Sequence, residues 1–313
     1  MSDPDHPSST RREALKCMAW AGTGALWALN GGVASSTMLG TGLGAGPAQK
    51  AASFTFLQLS DSHVGFAKPA NPDARATLRE AVAKIVAMPV KPDFIVHTGD
   101  ITQLSRDSEF DDADQILRET GLPTFYVPGE HDMLDEGTGK AFLARYGKGS
   151  QGAGWFSFDH KGVHFIGLVN VADLKPGGMG RLGAEQIAWL AKDLAGRPAS
   201  TPIIVLAHIP LWTVYAEWGW GTDDAAEALK LLARFGSVSI LNGHIHQIAQ
   251  KVEGRMVFHT ARSTAFPQPA PGTAPSPGPQ TVPPGQLHAL LGITDVAFHR
   301  GVERIALTDS TLA

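Results

Sequence analysis

A chain of 313 residues, 43% of them hydrophobic, is long enough to bury a sizeable core, either as one large domain or as two small ones. Its formal net charge is only -4 at pH 7, so nothing in the charge balance points to a nucleic-acid polymer or an anionic membrane surface, and a small, locally steered substrate suits it better. The single cysteine, Cys17, leaves everything after it without disulfides or thiolate metal ligands.

The first fifty residues read as an address. Thr10-Arg11-Arg12-Glu13-Ala14-Leu15-Lys16 resembles the twin-arginine export motif, with Ala14 where a Phe is more usual. A weakly apolar stretch from Cys17 to Leu29 follows, too short to span a bilayer comfortably, and a Gly-, Ala- and Ser-rich run from Gly31 to Ala52 reads as a removable linker. Residues 1–50 are therefore expected to form a signal peptide and linker, cleaved between Val33 and Ala52, with one main domain over 51–313. The expected partner is the twin-arginine export machinery, no stable membrane span is expected, and the location would be periplasmic or secreted. A disordered cytosolic tail is the competing reading. Nothing in the chain speaks to oligomeric state.

From Phe54 onward, short apolar runs alternate with helical patterns. Thr55 to Ser60 reads as a strand, Ala74 to Ala87 as a helix, Phe94 to Thr98 as a strand, Glu109 to Thr120 as a helix and Thr124 to Val127 as a strand. Such a β-α-β-α-β opening predicts parallel pairing, with chemistry gathered at the carboxyl ends of the strands. Strands are predicted at Trp155 to Phe158, His164 to Leu168, Ile203 to Ala207 and Val238 to Asn242, and helices at Ala184 to Leu194 and Ala225 to Arg234. After Gly243 the pattern turns to antiparallel β, with strands at Gln247 to Val252, Met256 to Thr260, His288 to Thr294 and Glu303 to Leu307. Residues 267–285 are too rich in proline to form a core element and predict a long loop, either a solvated insertion or a lid over an adjacent site.

Five loops, each following a predicted strand, carry the polar residues: Asp61-Ser62-His63, Gly99-Asp100, Gly129-Glu130-His131-Asp132, His208 after Ala207, and Gly243-His244-Ile245-His246. Carboxylate and imidazole donors without thiolates suit zinc, iron or manganese in a hydrolytic centre rather than a structural zinc site. Strand alternation would put Asp61 with His63, and His244 with His246, on common sides. Gly99, Gly129 and Gly243 would let the backbone turn sharply near the ions. Any one of these motifs alone is weak; the ordered set of five is not.

That order, over roughly residues 54–260, closely resembles the calcineurin-like metallophosphoesterase superfamily. Gly243-His244-Ile245-His246-Gln247 and Arg262-Ser263-Thr264 look like its class III cyclic-nucleotide phosphodiesterase branch. The resemblance implies a four-layer αββα sandwich of two mixed β-sheets flanked by helices. It also implies an enzyme that hydrolyses phosphodiester or monoester bonds of a small phosphate-ester substrate, with two divalent or trivalent ions, a metal-bridging hydroxide being the attacking group. Carried over residue by residue, Asp61, His63 and His246 would hold one ion, His208 and His244 the other, and Asp100 would bridge. His131 would contact substrate and protonate the leaving group, oriented by Asp132. The chain departs from the family at Glu130, where a neutral Asn is usual; ligation by Glu130 and a side chain turned away both follow as readings. With that departure, a metal-binding regulatory protein with little catalysis is the alternative function.

Other polar and aromatic residues are given blander roles. His97 reads as a core histidine, and His160, His164, His288 and His299 have no motif around them. Trp212, Tyr215, Trp218 and Trp220 read first as buried apolar residues and second as a stacking surface for substrate. Asp111, Asp112 and Asp114 complement a helix dipole.

Overall fold

β3 (Phe54–Leu59) carries apolar side chains on both faces, and both faces are covered. Phe54 and Phe56 enter a cluster with Phe94, Val96, Phe165 and Ile204, while Leu57 and Leu59 point the other way, toward Leu78, Ile95 and Ile116. Period-two alternation sorts the side chains of a doubly buried strand between two cores, and this sorting builds the layers. A computed structural model describes residues 25–30, 33–38, 53–135, 139–172, 174–175, 177–299, 301–302 and 305–313.

Two mixed sheets form. In the five-stranded one, β3 pairs in parallel with β4 (Ile95–His97), and β4 with β5 (Thr124–Tyr126); β12 (Gly292–Phe298) lies antiparallel to β3, and β13 (Ala306–Thr311) antiparallel to β12. The six-stranded sheet has a parallel centre of β7 (Val163–Gly167), β8 (Ile203–Leu206), β9 (Val238–Asn242) and β11 (Met256–Thr260). Its antiparallel edges are β6 (Phe156–His160) and β10 (Gln250–Glu253). Helices Ala74–Val86, Asp107–Arg118 and Lys140–Tyr146 cover the outer face of the first sheet, and Ala184–Leu194 and Ala225–Leu232 that of the second. The result is the expected αββα sandwich.

Four details correct the sequence reading. β11 joins β9 in parallel, so the region after Gly243 is not uniformly antiparallel. The run from His288 begins as a short helix, Leu287–Leu290, and the strand starts only at Gly292. Consecutive apolar residues at Ala289, Leu290 and Leu291 have no period-two signal, so helix and strand could not be separated there. Helix Lys140–Tyr146 is two turns long, too short to announce itself by periodicity. The last strand begins at Ala306, and Glu303 lies outside the described residues.

The chain divides into two compact units, Met1–Lys50 and Ala51–Ala313. In the first, β1 (Ala25–Asn30) and β2 (Val33–Met38) pair as an antiparallel hairpin. Arg11, Arg12 and Cys17 lie outside the described residues. Among the described residues, no helix is long and apolar enough to cross a membrane.

Candidate metal centre

The loops after β3, β4, β5, β8 and β9 meet, and they bring together all seven predicted metal-site residues. Local backbone geometry explains how. Asp61, His63, Asp100, His244 and His246 have φ of 54°, 40°, 53°, 69° and 55°, in the left-handed region that L residues with a side chain rarely occupy. Strand alternation therefore does not aim these side chains, because the chain has already left the strand. Clustered strain of this kind costs on the order of 1 kcal/mol per residue and persists where surrounding structure enforces it. The glycines are needed for close approach. A Cβ on Gly99 would lie 2.5 Å from His208 Nδ1, one on Gly129 would collide with the Asp100 carboxylate, and one on Gly243 would sit 2.6 Å from Asp61 Oδ2.

Two groups of donors result. Asp61, His63 and His246 form one, with His246 Nε2 3.3 Å from Asp61 Oδ1 and 3.2 Å from His63 Nε2. Glu130, His208 and His244 form the other: Glu130 Oε2 is 2.9 Å from His208 Nε2, and Oε1 is 3.0 Å from His244 Nδ1. His244 and His246, two residues apart, thus serve different groups. Between the groups lies Asp100, whose Oδ2 is 3.5 Å from both His63 Nε2 and His208 Nε2. Glu130 is turned inward, toward the histidines. Burial opposes its ionisation, but His244 and His208 outweigh that and hold the carboxyl well below its usual range. Burial keeps the His63 ring neutral, its pKa lowered to about 3.

A family model described as calcineurin-like phosphoesterase matches residues 54–248, which contain every one of these donors. The chain belongs to the calcineurin-like phosphoesterase family. A probable cyclic nucleotide phosphodiesterase from a Psychrobacter species is 25% identical over 200 residues, 61% of this chain and 57% of that protein, so this chain spans less than two thirds of that relative. A probable glycerophosphodiester phosphodiesterase of Arcobacter nitrofigilis is 23% identical over 224 residues, covering 66% of this chain and 77% of the relative. In fold, the chain is similar to a dimetal phosphatase from Danio rerio, at a TM-score of 0.64 and 14% identity over 83% of this chain and 96% of that one.

The donors fit the metal ions on which this phosphoesterase family depends. His208 Nε2 and His244 Nδ1 face the Glu130 carboxylate at 2.9 and 3.0 Å, but without hydrogen-bond geometry. His208 Nε2, His244 Nδ1 and Glu130 Oε2 are thus buried with no hydrogen bond made, a costly state unless something else satisfies them. His208 Nδ1 donates to the Thr98 carbonyl at 2.7 Å and His246 Nδ1 to the Phe266 carbonyl at 2.6 Å, which leaves each Nε2 bare and aimed inward. The Asp61 loop is braced from behind. Ser263 Oγ donates to the Asp61 carbonyl at 2.7 Å, and Thr264 Oγ1 to Ser62 Oγ at 3.0 Å. His97 Nε2 lies 2.8 Å from the same Ser62 hydroxyl, so this buried histidine supports the loop from the strand side.

His131 and Asp132 have separate surroundings. His131 Nδ1 is 2.8 Å from the Gln103 carbonyl, which can only accept, so Nδ1 carries the hydrogen and Nε2 is left free; the ring lines the central cavity. Burial lowers its pKa, but Asp100 and Glu130 outweigh burial and the net shift is upward. Asp132 instead accepts from the backbone N–H groups of Ile101, Thr102 and Gly129 and from the Thr102 hydroxyl, tying the Gly99-Asp100 loop to the Gly129 loop. Burial and Asp100 push its carboxyl up to about 6. The ring of His131 is thus held by Gln103, a residue the motifs did not mark.

A cavity of about 610 Å³ opens over the centre, large enough for a drug-sized ligand. Pro277, Gly278 and Pro279 line it, so the Pro-rich loop reaches over the edge of the site, while most of residues 271–285 are exposed. Trp218 and Trp220 form part of a wall, nearly buried against Ile245, whereas Trp212 packs on Phe258 in the core. Elsewhere His164 is buried between Asp159 and Asp193, His160 meets Asp93, and His288 meets Glu80, all structural pairings.

Proposed function

We propose that this chain hydrolyses phosphodiesters, with monoesters as poorer substrates, at a pair of metal ions held by Asp61, His63 and His246 on one side, Glu130, His208 and His244 on the other, and Asp100 between them. The observation that carries the proposal is the single carboxylate oxygen of Asp100, equidistant at 3.5 Å from one histidine of each group. The names of the relatives, both phosphodiesterases, support it.

Such ions, when bound, supply Lewis acidity toward the phosphoryl oxygens and activation of the attacking water. The chain's own residues do the rest. His131, with Nδ1–H anchored on Gln103, presents Nε2 to the cavity. In its imidazolium form it gives the Nε2 proton to the leaving oxygen as the phosphorus–oxygen bond breaks and the oxygen of the attacking water, its own proton already lost to solvent, bonds to phosphorus, which leaves the ring neutral. Asp132 fixes the distance between the loops that carry Asp100 and Glu130. Pro277 to Pro279 and Trp218 limit the water around the substrate.

The test is hydrolysis of bis(p-nitrophenyl) phosphate and p-nitrophenyl phosphate by the purified chain with manganese, zinc or iron added. Turnover of the diester above the monoester is expected. Metal binding without turnover of either would favour a metal-binding regulatory protein, the reading that the extra carboxylate of Glu130 suggests.

We also propose export by the twin-arginine route to the periplasm or beyond. Replacing Arg11 and Arg12 together by lysine should trap an uncleaved precursor inside the cell, whereas unchanged export would refute the assignment.

A further inference from the structure

We propose that Glu130 makes the two halves of the centre chemically equal, so that both ions are of one element and are held with comparable strength. The inference rests on the dinuclear reading above. Each half has one carboxylate and two imidazoles of its own, Asp61 with His63 and His246, and Glu130 with His208 and His244, and each shares Asp100. No difference in donor type distinguishes them, and sites of matched N/O donors do not sort one element from another by ligand chemistry.

The halves differ in exposure. Asp61, His63 and His246 are buried, though His63 also lines the cavity; in the other half His208 is fully buried, while the side chains of Glu130 and His244 are 25% and 12% exposed and line the cavity with their donor atoms turned inward. Water competes for an ion at the open half, and a neutral amide at position 130 would leave that half with only its share of Asp100 as anionic ligand. A full carboxylate offsets the exposure, because cation affinity rises with the charge of its ligands. The side chain is also held in place: Glu130 opens a single 3-10 turn whose neighbour, His131, donates its N–H to Asp100 Oδ1 at 2.9 Å, while Asp132 clamps the loop base.

A second consequence concerns substrate. Three carboxylates, Asp61, Asp100 and Glu130, leave a pair of dications with one net positive charge, against two with an amide at 130. The attraction for a dianionic monoester falls more than that for a monoanionic diester, since the Coulomb energy scales with the charge on phosphate.

The experiment measures the metal content of the full-length chain by mass spectrometry after manganese loading and exhaustive dialysis, with calorimetric titration of the metal-free form alongside. The unaltered chain should retain two ions, with dissociation constants within about tenfold of one another, equivalent to about 1.4 kcal/mol. Glu130→Gln should retain one, its remaining affinity within about threefold of the parent and its second weakened by about 30-fold or more. That surviving tight site also shows that the variant is folded. At saturating metal, Glu130→Gln should raise the monoester-to-diester ratio of kcat/KM. One retained ion in the unaltered chain, or two in Glu130→Gln, would overturn the equality while leaving a dinuclear hydrolase intact. Failure of the unaltered chain to bind any ion would sink both.

Discussion

At the scale of single residues, the centre is built by side chains whose backbones are held where such residues seldom go. Five of the seven donors have left-handed φ, and three glycines admit them. Residue types and their order marked the seven positions in the sequence, because a donor must be Asp, Glu or His and each loop follows a strand; the family resemblance sorted them into ligands and left the direction of Glu130 open. The reason offered for their convergence, strand alternation, fails, since φ values do not show in residue spacing. Gln103 and Phe266 escaped notice, and Ser263 was marked only within a resemblance and not for its part in bracing Asp61, for a related reason. Gln103 and Phe266 act through backbone carbonyls, which every residue has, and Ser263 through a hydroxyl bonded to the backbone. The anchoring of His131 carries a prediction. Its raised pKa means that the ring is protonated below that value and loses its proton as pH rises through it, so the acid form is depleted on the alkaline side. The kcat profile should fall there, and His131→Gln should lower kcat by about 10²–10⁴ and abolish that limb. An unchanged alkaline limb in His131→Gln would show that another group donates the proton.

Among the elements, the loop over residues 267–285 has the clearest functional consequence. Composition identified it as a loop and put a solvated insertion first and a lid second, because proline content excludes core structure without indicating where the chain lies. Its attachment is specific. Gln247 Nε2 donates to the Pro269 carbonyl at 2.9 Å, Gln268 Nε2 donates to the His244 carbonyl at 3.1 Å, and Ala274 packs in the cluster of Trp218, Trp220 and Ile245. The Pro-rich loop is thereby joined to the loop that carries His244 and His246. Replacing residues 271–279 by a short Gly-Ser linker should raise KM for bulky diesters by roughly tenfold, about 1.4 kcal/mol, with metal content unchanged. Equal KM values in the linker variant and the parent would return the loop to a solvated insertion. The β-α-β-α-β opening was readable because its doubly buried strands form apolar runs bounded by turns; the short helix Leu287–Leu290 was not, because four residues have no period.

Across the whole molecule, the sandwich brings the carboxyl ends of strands from two sheets to one place, and neither sheet alone supplies a complete donor set. Asp61, His63, Asp100 and Glu130 come from loops of the five-stranded sheet, and His208, His244 and His246 from loops of the six-stranded sheet. Each proposed ion therefore has ligands from both sheets, and metal binding should couple the packing of the sandwich to its chemistry. The most direct test is to reconstitute the metal-free chain with measured equivalents of manganese while following hydrolysis of bis(p-nitrophenyl) phosphate, in parallel with Asp100→Ala. The account predicts that turnover rises with the second equivalent bound and that Asp100→Ala loses tight binding of both ions together with turnover. Full activity at one equivalent, or an Asp100→Ala variant that keeps both ions and hydrolyses the diester normally, would contradict it.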